Sequence, residues 1–95
     1  MPNISDDFSQ TRFAFLNTEA DLATTFVQVA ETELSIDPEH AARALAKARE
    51  ALQVIRRALS NPLGMSSEQL ELLAERCTTL EASIARVSSN PNYSK

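Results

Sequence analysis

Ninety-five residues make one domain, long enough to enclose a modest core while leaving much of its surface in water. A formal net charge of −4 argues against general nucleic-acid binding, which needs a positive footprint, and no apolar run approaches the ~18 residues of a membrane span. One glycine, no tryptophan, and four prolines near the tails or candidate boundaries (Pro2, Pro38, Pro62, Pro91) favour helices over strands and tight hairpins.

The opening "MPNISDDFSQ" has neither a basic n-region nor an apolar h-region, so no secretory signal is expected. Residues 1–10 read as a polar tail with two isolated apolar side chains, Ile4 and Phe8. Helix 1 is expected over about residues 11–34. Its ladder is Leu16, Ala20, Ala23, Val27, Ala30 and Leu34, stepping by three and four so that all six share one stripe. Phe13 and Leu16 keep the helical spacing, which favours a start before Thr18, where Asp21 approximates a capping box.

Asp37-Pro38 opens helix 2, about residues 38–59. The Asp side chain can accept from a free backbone N–H, and Pro at the first helical position sacrifices no hydrogen bond. The ladder here is Ala41, Leu45, Ala48, Leu52, Ile55 and Leu59, flanked by a small-residue line, Ala44, Ala51 and Ala58. That line suits close approach by a neighbouring helix, with helix 2 as the middle element. The short connection makes helices 1 and 2 antiparallel neighbours.

"SNPLGMSS" breaks the pattern, and Ser66 with Gln69 forms a capping box for helix 3, about residues 67–88. Its ladder is Leu70, Leu73, Cys77, Leu80, Ile84 and Val87, with Leu72 on the other side. "SSNPNYSK" reads as a frayed tail. The expected fold is all-α: a three-helix antiparallel bundle in up-down-up order.

Charges divide by helix. Glu19–Leu34 is acidic, helix 2 is rich in Arg and Lys, and helix 3 is mostly acidic, so a basic rod between two acidic rods would select the pairing. Helix 1 is also broader in apolar surface than one stripe requires. Leu22, Phe26 and Val29 form a second line, and the two lines together cover about half its circumference against the ~100° of a one-sided helix. Either helix 1 buries both lines against both neighbours, or Leu22, Phe26 and Val29, with Phe13 or Phe15, form an interface; Leu72 is a further candidate.

Candidate chemistry is sparse. His40 is the only histidine and has no companion ligands for a metal. Cys77, the only cysteine, lies on the ladder of helix 3 and reads as a buried thiol in a reducing compartment, with the cytoplasm the expected location. Glu68, Glu71 and Glu75 read as a solvated acidic face. Arg49 and Arg56, one heptad apart on helix 2, can grip an acidic partner or pair with neighbouring helices. No phosphate loop, nucleophile motif or dinucleotide fingerprint is present, so no enzyme and no cofactor are expected.

The stretch "DPEHAARALAKAREALQVIRRAL" after "ADLATTFVQVAETELSI" resembles the middle of short bacterial helical proteins, a likeness over about residues 19–59 that implies no known activity. The hairpin is also similar in spacing to tetratricopeptide-like hairpins. "LAERCTTLEASIARV" resembles the third helix of microtubule-interacting-and-trafficking domains, which are three-helix bundles that bind helical peptides in interhelical grooves. The turn "SIDPEH" lacks the aromatic turn of those hairpins, so no binding residues are carried over. The resulting expectation is a non-enzymatic module that contacts another protein or a second copy of itself.

Overall fold

The computed structural model describes residues 4–62 and 64–91, the side chains of residues 4–9 excepted. It contains three helices: α1 (Ile4–Glu33), α2 (Pro38–Ser60) and α3 (Ser67–Ser88). They form an elongated three-helix bundle of 55 × 17 × 15 Å.

Two boundaries follow their capping chemistry. Asp37 Oδ1 accepts from the backbone N–H of His40 at 3.2 Å, with Pro38 in the first turn of α2. Ser66 Oγ accepts from the Gln69 N–H at 3.1 Å, while Gln69 Oε1 accepts from the Ser66 N–H at 2.9 Å, a reciprocal box that starts α3. Gly64 supplies the left-handed turn between α2 and α3 at φ 81°, which a side chain would resist.

The start of α1 is corrected. The helix begins at Ile4, not near residue 11, and takes in most of the expected tail. This start carries no apolar ladder, which is why periodicity does not show it. Thr18 is therefore not a cap; its Oγ1 donates to the Ala14 carbonyl within the helix. The expected C-terminal tail lies partly outside the described residues.

The polar links fix the helix directions. Arg12 Nη2 donates to the Asn61 carbonyl, joining the early part of α1 to the end of α2, so these two run antiparallel. Arg49 meets Ser88 and Arg56 meets Glu81, so α2 and α3 are antiparallel as well. Arg76–Asp21 and Arg86–Glu31 both join residues 55 apart, so α3 runs parallel to α1 and in register with it. The order is up-down-up.

All three ladders face inward. Leu16, Ala20, Ala23, Val27, Ala30 and Leu34 of the first are buried, with matching rungs from α2 and α3. The alanine line Ala44, Ala51, Ala58 is buried too. The contact between α1 and α2 is the most extensive in the bundle, because alanines on both sides let the backbones approach. The third helix contributes Leu73, Cys77, Leu80, Ile84 and Val87 and no alanine, so larger side chains fill its side of the core. Met65 closes the end between α2 and α3. Each helix touches both others, so α2 is not the sole middle element.

The charge pairing also differs from the rod-by-rod expectation. Arg76 and Arg86 of the mostly acidic α3 pair with Asp21 and Glu31 of α1, and one interhelical ion pair, Arg56–Glu81, joins α2 to α3 among the described residues. The ion pairs follow individual cations at the contact lines and not the net charge of a helix.

Candidate functional site

At ~100° per residue, α1 presents different chemistry to its two outer flanks. The flank toward α3 is polar. Arg76 Nη2 donates to Asp21 Oδ1 at 2.8 Å and its Nη1 reaches the Asn17 carbonyl at 3.3 Å, while Arg86 pairs with Glu31. The flank toward α2, on the face that α3 leaves open, is apolar. Phe15 and Leu22 are 54% and 44% exposed there, over half-buried Phe26 and Val29, and Val54 adds to them from α2.

These side chains belong to a second line with the alternating spacing of a helix seam: Thr11, Phe15, Thr18, Leu22, Thr25, Val29. It carries no charge. The hydroxyls of Thr18 and Thr25 donate to the carbonyls of Ala14 and Asp21 one turn back, which directs their polar atoms to the helix itself. The line therefore exposes rings, branched chains and threonine methyls.

Phe26 divides the α1/α2 seam into two open hollows. One, of about 280 Å³, is walled by Glu19, Leu22, Lys47, Glu50 and Val54, with Ala51 beneath. The other, of about 410 Å³, is walled by Val29, His40, Arg43 and Lys47, with Ala44 beneath. Lys47 Nζ lies 5.7 Å from the centre of the Phe26 ring, covering its face with a cation. The alanine floors are one heptad apart, ~10 Å along the helix.

The expected interface residues do not form one surface. Leu22, Phe26 and Val29 line this seam, whereas Phe13 turns toward the core and packs there. Leu72 is 51% exposed on α3, on the flank that bears Arg76, around the bundle from Leu22. Val54 was missed in the sequence because it stands outside the ladder of α2. Thr18 and Thr25 were missed because threonine counts as polar, although their spacing with Phe15, Leu22 and Val29 was there to read.

Arg49 and Arg56 lie in a separate groove of about 540 Å³ between α2 and α3, floored by Leu52 and Ile84. Arg56 is held by Glu81, its Nε 3.1 Å from Oε1. Arg49 Nη2 donates to Ser88 Oγ at 2.8 Å and has no carboxylate within ion-pair distance among the described residues. Cys77 is buried beside this groove. Burial pushes its thiol pKa up, Arg56 opposes the shift and Glu81 adds to it. His40 Nδ1 stands 3.9 Å from Glu33 at the α1–α2 turn. Among the described residues no group of three or more His, Cys, Asp or Glu is placed to hold a metal ion, and no helix is long and apolar enough to cross a membrane.

Among the described residues, the fold and this surface define a small three-helix bundle with an open apolar seam between α1 and α2. Comparison of the chain with protein-family models, with curated proteins and with solved structures found no match.

Proposed function

We propose that this chain is a non-enzymatic helical interaction module whose α1/α2 seam receives the apolar face of a partner helix. The observation that supports this most is the uncharged line Phe15–Thr18–Leu22–Thr25–Val29 beside two hollows with alanine floors. Helix-in-groove recognition uses apolar anchors at heptad spacing, and these hollows have that spacing. Contiguous exposed apolar surface on a small domain is a mark of an interface.

The test is titration of a labelled amphipathic peptide, with leucines at i, i+7 and i+14, into dilute wild-type protein and into Leu22→Glu. Binding to the wild type and at least tenfold weaker binding to the variant are expected. No binding to either, or equal binding to both, refutes the reading.

A second reading is favoured by Arg49, whose guanidinium faces the α2/α3 groove without a carboxylate partner among the described residues. That groove would take an acidic segment. Its binding of a poly-glutamate probe would weaken steeply with added salt and fall in Arg49→Ala, whereas docking at the apolar seam would change little with salt.

A further inference from the structure

We draw no further inference here: the strongest candidate, the open apolar seam of Leu22, Phe26 and Val29 between α1 and α2, belongs to the site already described, and nothing in the structure shows what covers it.

Discussion

Leu45, Ile55 and Leu73 are the largest side chains removed completely from water. Leu45→Ala should cost ~2–5 kcal/mol, the lost transfer energy plus the cavity left behind. Leu22→Ala, at a half-exposed position, should cost less than ~1 kcal/mol. Urea denaturation of both variants separates core from seam. Cys77 gives a pH-dependent counterpart. Its folded pKa is raised above the ordinary 9.0 by burial, so the folded state keeps the proton where the unfolded state begins to lose it. That contribution to stability is complete below pH 9.0 and is lost as pH rises toward the folded value. Melts across this alkaline range should show a decline that Cys77→Ala lacks, and thiol reagents should label Cys77 only on unfolding.

At the scale of the helix, the caps of α2 and α3 act on separate elements. Asp37→Ala and Ser66→Ala should each destabilise by ~1 kcal/mol, measured by chemical denaturation. Their effects should add, since the two caps share no hydrogen-bond partner. Arg86→Ala should cost only ~0–1 kcal/mol, because both members of its pair with Glu31 are well exposed. The helices themselves were legible from period and punctuation: each ladder is a buried stripe, and Asp37-Pro38 and Ser66–Gln69 mark true starts. Two things were not. The start of α1 carries no ladder, so spacing misses it. The ion pairs depend on the register between helices, which a single helix does not encode, so Arg76 and Arg86 emerge as ties to α1 only once the three rods are assembled.

At the scale of the molecule, the bundle is a close α1/α2 pair with a third helix laid along it. Alanines draw the first two together, while α3 meets them through larger side chains and through Arg56, Arg76 and Arg86. Amides in the buried part of α3 should therefore exchange with solvent faster than those around Ala23 and Ala48, as hydrogen exchange under native conditions would show. The breadth of α1 was legible as an anomaly, but the direction it faces was not. Whether Leu22, Phe26 and Val29 meet α2 or α3 is decided by the handedness of the bundle. The structure sets them on the open side of α2 and sends Phe13 and Leu72 elsewhere.

The threonines of α1 have one more consequence. With the hydroxyls of Thr18, Thr25 and Thr32 turned back to carbonyls of their own helix, the face offers a visitor almost nothing to donate or accept. Orientation on such a face comes from shape along its length and from ionised groups at its edges. It should therefore be forgiving of conservative exchanges among aliphatic side chains and intolerant of any carboxylate or ammonium placed in its midline, a pattern of tolerance that saturation mutagenesis of residues 15–29 would trace.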